Sequence, residues 1–113
     1  MKISILTNGN IMNWTRIAAV DEVEDDAGMP FKLDGRELAL FRSGGEFFAA
    51  DNVCTHQYAL LTDGYVEDGC VECPLHQAQF DLRTGEPRCA PATQPIRIYP
   101  VKVEDEAVYV AVE

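Results

Sequence analysis

Basic residues, histidines and long apolar runs are all scarce in this sequence. Nine Lys and Arg stand against 19 Asp and Glu, which argues against a nucleic-acid partner because phosphate binding needs basic surface. No stretch approaches the ~20 apolar residues of a membrane span. The segment Met1–Met12 holds a single Lys and no long apolar run, so it is not typical of a signal peptide. These absences predict a cytoplasmic protein that does not bind membranes.

The length of 113 residues predicts one domain with little room for a separate substrate-binding unit. This disfavours a self-contained oxygenase or dehydrogenase. Residues 1–12, with a turn-like Asn8-Gly9-Asn10, are predicted to be an N-terminal extension, and residues 13–113 a single domain. The acidic balance serves either solubility alone or the steering of basic protein partners.

Short strand candidates separated by turn signals run through most of the chain, and no amphipathic helix of convincing length occurs. The turn signals are Asp34-Gly35, Ser43-Gly44-Gly45 and Glu104-Asp105-Glu106, whereas the acidic run Asp21–Asp26 is predicted to be a solvated loop. This pattern predicts an all-β fold, a small antiparallel barrel or sandwich. The predicted strands are Trp14–Val20, Met29–Leu33, Arg36–Arg42, Glu46–Ala50, Ile96–Val103 and Ala107–Val112.

Residues 52–95 interrupt this pattern with many Gly and Pro residues, and they are predicted to be a loop-rich insert. Two short pieces within it, Tyr65–Glu67 and Cys70–Glu72, are candidates to pair as strands. Loops carried by a rigid scaffold are where functional residues concentrate, so the insert is the expected site.

Two compact Cys–His pairs lie in this insert. They are Cys54-Thr55-His56 and Cys73-Pro74-Leu75-His76, and sixteen residues separate His56 from Cys73. Each pair offers one thiolate and one imidazole, so two short loops could hold one metal centre from two sides. The protein has two His in all, and both follow a Cys by three residues or fewer.

This ligand set is compatible with two kinds of centre. Two thiolates and two imidazoles can hold a single tetrahedral zinc ion, although zinc fingers usually open with a Cys pair. The same four ligands can hold a [2Fe-2S] cluster, with both Cys on one iron and both His on the other. Such a cluster is neutral when oxidised and therefore easier to reduce than an all-Cys cluster.

The pattern Cys-x-His, sixteen residues, then Cys-x-x-His resembles the Rieske motif. The text from Asp51 to Gly85 is similar to the ferredoxin component of bacterial aromatic-ring-hydroxylating dioxygenase systems, most like the naphthalene-type branch, and the likeness extends over Trp14–Val112. The resemblance implies a Rieske-type β-fold with a loop-rich cluster-binding subdomain. It also implies one [2Fe-2S] cluster held by Cys54, His56, Cys73 and His76, with the His-bound iron facing the partner.

The resemblance further implies a monomeric one-electron carrier between an NAD(P)H-dependent ferredoxin reductase and a terminal oxygenase. The rival interpretation is a Rieske subunit of another redox complex. A Rieske oxygenase also needs a mononuclear iron held by two His and a carboxylate. Since the cluster uses both His of this chain, no such iron site can be built, which argues strongly against oxygenase activity by the chain itself. Such a carrier does not contact the aromatic substrate of the pathway, so its sequence does not identify that substrate.

Residues after the second pair bear on the reduction potential. In high-potential respiratory relatives, a Ser and a Tyr there donate hydrogen bonds to the cluster, and the matching positions in this sequence are Ala78 and Phe80. The extra Cys pair of those relatives is replaced by Tyr58 and Leu75. We therefore expect a low potential, roughly −150 mV.

Three further features are assigned from the sequence. Cys70 and Cys89 are predicted to be buried thiols, with a disulfide between them as the alternative. Ala90–Pro95 is predicted to be a third loop that covers the cluster, as the resemblance implies. Ser43–Leu82 contains seven acids and no Lys or Arg, so we expect it to face basic partner surfaces.

Overall fold

The computed structural model describes residues 2–7, 10–54, 59–74, 78–89 and 94–112, without the side chains of residues 2–7, 10–12 and 89. The described residues form antiparallel strands and two short 3₁₀ turns, Val20–Glu22 and Leu61–Asp63. No helix in this part of the chain is long and apolar enough to cross a membrane. The strands are β1 (Lys2–Thr7), β2 (Asn10–Ala19), β3 (Ala27–Leu33), β4 (Arg36–Ser43), β5 (Glu46–Asp51), β6 (Tyr65–Glu67), β7 (Cys70–Glu72), β8 (Gln79–Asp81), β9 (Pro87–Cys89), β10 (Ile98–Tyr99), β11 (Val101–Glu104) and β12 (Ala107–Val112).

These strands make three four-stranded sheets. The first has the order β1-β2-β12-β11, the second β10-β5-β4-β3 and the third β6-β7-β8-β9, and the strand pairs within each sheet are antiparallel. The predicted all-β antiparallel fold is confirmed. The third sheet lies within the stretch that was predicted to be a loop-rich insert.

The second sheet is covered on both faces. One face packs on the first sheet through a core that includes Leu38, Leu40 and Val110. The opposite face packs on the third sheet through a second core that includes Phe41 and Phe80. Burial on both faces explains the continuous apolar run Leu38–Phe41 in β4, because alternation is lost when neither face meets water.

The predicted hairpin turns are confirmed at Asp34-Gly35, Gly44-Gly45 and Asp105-Glu106. Both central residues of each turn have positive φ, which is 52° at Asp34 and 78° at Gly35. Turns of this kind match the twist of the flanking strands and favour Asp and Gly at these positions. The turn Asp68-Gly69 joins β6 to β7 in the same way, with φ values of 52° and 75°.

The predicted strand boundaries are wrong in two places. Residues 2–7, assigned to an N-terminal extension, form β1 and pair with β2, which begins at Asn10 rather than Trp14. The predicted strand Ile96–Val103 is two shorter strands in different sheets, since β10 pairs with β5 and β11 pairs with β12. Pro100, which has no N–H to donate, lies between them. The limits of the domain, 13–113 with an insert at 52–95, stay a prediction.

The acidic run Asp21–Asp26 is exposed as predicted, apart from Val23, which is buried in the first core. Arg42 anchors the run, since its Nη1 donates to the carbonyl oxygens of Val20 (3.3 Å) and Val23 (3.0 Å). The carboxylate of Asp26 accepts a hydrogen bond from Ser43 at 3.1 Å. The run is therefore a solvated loop with a defined attachment to β4.

Tyr99 links β10 to β5 through a hydroxyl that donates to Asp51 at 2.6 Å. The Tyr99 pKa is raised above its ordinary value, mainly because the side chain is buried and secondly because it donates a hydrogen bond to Asp51. A raised folded-state pKa stabilises the fold fully below the unfolded pKa of about 10, and this stabilisation is lost as pH rises through the folded pKa.

We expect Tyr99→Phe to lower the free energy of unfolding by about 1 kcal/mol at neutral pH. In urea denaturation the difference between the two proteins should shrink above about pH 10, and an equal difference at all pH values would contradict this.

Candidate metal centre

The first Cys–His segment, residues 54–59, follows β5. Cys54 is 4% exposed, and its backbone N–H donates to the carbonyl oxygen of Ala59 at 2.9 Å. Val53 and Leu60 pair antiparallel at the base of the segment. The segment therefore leaves and re-enters the fold at one point, with a buried Cys at its first position. His56 lies outside the described residues.

Asn52 holds the base of this segment in place. It is 2% exposed, and its backbone N–H donates to Glu37 at 3.1 Å while its carbonyl accepts from Leu61 at 2.7 Å. Its side-chain oxygen accepts from the Thr62 N–H at 2.9 Å, and its side-chain nitrogen donates to the Thr62 hydroxyl at 3.1 Å. The sequence analysis did not single out Asn52, since a lone Asn before a Cys carries no distinctive pattern.

The second Cys–His segment, residues 73–78, is the tip of the β7–β8 hairpin. Cys73 is 0% exposed, and its N–H donates to the carbonyl oxygen of Ala78 at 2.7 Å. Directly below, Glu72 pairs with Gln79, and the Gln79 amide donates to the Glu72 carboxylate at 3.0 Å. His76 lies outside the described residues.

The two segments are equivalent in construction. Each is six residues long, opens on a buried Cys, and is joined at its ends by a hydrogen bond from that Cys to the fifth residue after it. Cys54 and Cys73 belong to the same apolar core. The fold therefore brings the two predicted thiol ligands to one region from separate parts of the chain.

The chemistry of this donor set fits a metal centre. Thiolates are the metal-binding form of Cys, and an anion in an apolar core is costly unless a cation neutralises it. Cys54 and Cys73 lie among Phe80, Val71 and Leu61, so bound iron would supply that neutralisation. Among the described residues no group of three or more His, Cys, Asp and Glu could hold a metal ion. Two of the four predicted ligands, both His, lie outside that part of the chain.

The surroundings of the two Cys are apolar at the positions expected to set the potential. Ala78 and Phe80 are each 0% exposed and belong to the core that contains both Cys. Neither side chain has a hydrogen-bond donor. Tyr58 and Leu75, which stand where respiratory relatives carry the extra Cys pair, lie outside the described residues.

The predicted third loop, Ala90–Pro95, is described in part. Gln94 and Pro95 are exposed, and residues 90–93 lie outside the described residues. Beyond it, the N–H of buried Ile96 donates to Gly85 at 2.9 Å. A cover over the cluster stays a prediction.

The outer face of the third sheet is acidic and partly concave. A cleft of about 320 Å³ is lined by Glu67, Asp68 and Glu72 together with Tyr65, which is 77% exposed. Arg88 lies at the same cleft and is the basic residue of its lining. Because Glu72 directly precedes Cys73, this acidic face is contiguous with the second Cys–His segment.

The prediction of a buried thiol is corrected for Cys70, whereas the side chain of Cys89 lies outside the described residues. Cys70 is half-buried at the cleft, not fully buried, and its sulfur accepts a hydrogen bond from Arg88 at 2.6 Å, which raises the Arg88 pKa. Cys70 lies on β7 and Cys89 on β9, with β8 between them. Two strand spacings are roughly 9–10 Å, beyond the ~7 Å limit between the Cα atoms of a disulfide. The fold therefore excludes a Cys70–Cys89 disulfide.

The fold and the paired Cys segments define a class of iron–sulfur protein. The sequence model of the Rieske [2Fe-2S] domain matches residues 13–100, and the chain belongs to this family. The cofactor is therefore a Rieske-type [2Fe-2S] cluster, and the structural-zinc alternative is not favoured.

Several proteins similar to this chain are ferredoxin components of dioxygenase systems. The chain is 45% identical over 107 residues to the anthranilate 1,2-dioxygenase ferredoxin subunit of Burkholderia cepacia, covering 95% of this chain and 99% of the relative. It is 44% identical over 94 residues to the ferredoxin component of the Pseudomonas putida naphthalene 1,2-dioxygenase system, covering 83% and 90%. A chain in the complex of reduced oxygenase and oxidized ferredoxin in carbazole 1,9a-dioxygenase superposes with a TM-score of 0.82 at 32% identity, covering 87% and 92%.

Proposed function

We propose that this chain is the one-electron carrier of a multicomponent aromatic-ring dioxygenase system and carries no catalytic site of its own. The observation that carries the proposal is the pair of equivalent Cys–His segments opening on buried Cys54 and Cys73 in one core. When bound, the [2Fe-2S] cluster supplies a one-electron redox couple. The ferredoxin relatives support the same role.

We assign the four cluster ligands as Cys54, His56, Cys73 and His76. The two Cys hold one end of the site inside the apolar core, which excludes water from the thiolates. The two His follow on the same segments, and both are used as ligands in this assignment. No further His remains for the mononuclear iron of an oxygenase.

The proposed partners are a terminal oxygenase, which accepts the electron, and an NAD(P)H-dependent ferredoxin reductase, which supplies it. The complex of oxygenase and ferredoxin in carbazole 1,9a-dioxygenase supports the first partner. We propose further that the carrier is a cytoplasmic monomer, because small transient contacts suit a protein that must leave one partner for the next.

The acidic face around Glu67, Asp68 and Glu72 is proposed to steer both partners. Opposite charge raises the association rate of electron-transfer partners more than it raises their affinity, and salt screens it. The face joins the second Cys–His segment, so steering to it brings a partner beside the site.

Electron transfer between purified reductase, carrier and oxygenase tests this function. By stopped-flow absorbance, the carrier should be reduced by the reductase, then reoxidised by the oxygenase, with second-order rates that fall as ionic strength rises. Asp68→Asn should slow both reactions about twofold at low salt. Asp105→Asn is the matched control, since both Asp are exposed turn residues with φ near 50° and Asp105 lies on the first sheet. Second-order rates that do not change with ionic strength would contradict electrostatic steering. The absence of electron transfer would contradict the proposed function.

A further inference from the structure

The two Cys–His segments are joined in space by the turn Leu61–Gly64. At one end Asn52, two residues before Cys54, makes three hydrogen bonds to Leu61 and Thr62. At the other end Gly64 lies against the backbone of Glu72, the residue before Cys73. We call residues 61–64 the spacer turn.

The contact between Gly64 and Glu72 leaves no room for a side chain. A Cβ on Gly64 would overlap the Glu72 carbonyl oxygen, far inside the 3.0 Å that real Cβ atoms essentially never cross. The obstacle is purely steric, because φ at Gly64 is −96°, a value that Ala adopts readily. Any residue other than Gly must therefore push the turn away from the start of the second segment.

We propose that the spacer turn sets the separation of Cys54 and Cys73, with Gly64 and Thr62 as positioning residues for the cluster. The inference rests on the proposed ligand assignment. Leu61, the first residue of the turn, is 0% exposed in the core that contains both Cys, so a displaced turn cannot relax into solvent. A change in spacing is passed to the Cys backbones, since hydrogen bonds join the turn to Asn52 at one end and Gly64 packs against the Glu72 backbone at the other.

Two substitutions alter the spacing from opposite ends. Gly64→Ala wedges the turn away from Glu72, and Thr62→Val removes the hydroxyl that accepts from Asn52. Thr62→Ser keeps that hydroxyl and should restore wild-type behaviour. Gly69→Ala is the matched control, because φ there is +75° but nothing lies within 4 Å of its added Cβ. That variant is strained without displacing either segment.

The test measures the electron paramagnetic resonance g-values of the reduced protein, the rate of cluster loss to a chelator, and Tm. Gly64→Ala should shift the g-values and lose the cluster about 10-fold faster or more, which is the scale of effects from residues that support metal ligands. Thr62→Val should shift the g-values less. Gly69→Ala should lower Tm while leaving the g-values and the rate of loss unchanged.

If Gly64→Ala has the g-values and the rate of cluster loss of the wild type, this inference is wrong, while the ligand assignment still stands. If Gly64→Ala does not fold, the Thr62 pair decides, and identical g-values for Thr62→Val and Thr62→Ser would overturn it. A cluster that survives Cys54→Ser and Cys73→Ser unchanged would overturn the ligand assignment and this inference together.

Discussion

Cys73→Ser is expected to abolish stable cluster binding and with it the reduction of the carrier. Cys73 is 0% exposed, at the tip of a hairpin whose ends are joined by its own N–H. A Ser hydroxyl in its place is a poor iron ligand and cannot match the charge of a thiolate at neutral pH. The apolar core around it offers no substitute ligand among the described residues. The purified variant should be colourless, with iron and sulfide near zero.

Cys70→Ser is the matched control for this loss. Cys70 is the first residue of β7 and Cys73 directly follows that strand, but Cys70 is half-buried at the outer cleft and its sulfur accepts a hydrogen bond from Arg88. Its replacement should leave iron, sulfide and visible absorbance at wild-type levels. Full iron occupancy in Cys73→Ser, or loss of iron in Cys70→Ser, would contradict the assignment of the ligands.

Adding hydrogen-bond donors at Ala78 and Phe80 is expected to raise the reduction potential. Both positions are 0% exposed in the core of the two Cys, and neither wild-type side chain donates. The wild-type midpoint should therefore lie near the low end of the Rieske range, roughly −150 mV. Each new hydroxyl that favours the reduced form by about 1.4 kcal/mol raises the potential by about 60 mV, because the couple transfers one electron.

Redox titration of Ala78→Ser, Phe80→Tyr and the double variant measures this effect. Phe47→Tyr is the control, since Phe47 packs against the other core and a hydroxyl there adds no donor near either Cys. Tm should be followed too, because a buried hydroxyl without a partner destabilises by about 1–3 kcal/mol. A strongly positive wild-type midpoint, or unchanged potentials in all three variants, would contradict the prediction.

Much of the strand order could be predicted because hairpin turns are set by residues that are adjacent in the chain. Asp34-Gly35 adopts the positive φ values that a two-residue hairpin needs, and strands begin and end beside it as predicted. Strands β8 and β9 were missed because no two-residue turn signal stands beside them, whereas the equally short β6 and β7 are joined by Asp68-Gly69. β8 pairs with β7 on one side and with β9 on the other.

From the sequence alone, the type of site could be predicted. Two Cys and the only two His stand at spacings that predict the four ligands, and with both His used in that assignment none remains for a catalytic iron. Other features depend on neighbours that are distant in the chain, and these were visible only in the folded structure. These features are the burial of β4 on both faces, the separation of Cys70 and Cys89 by an intervening strand, and the contact of Gly64 with Glu72. Ligand identity is a property of the side chains, whereas burial and spacing arise only when separate segments pack together.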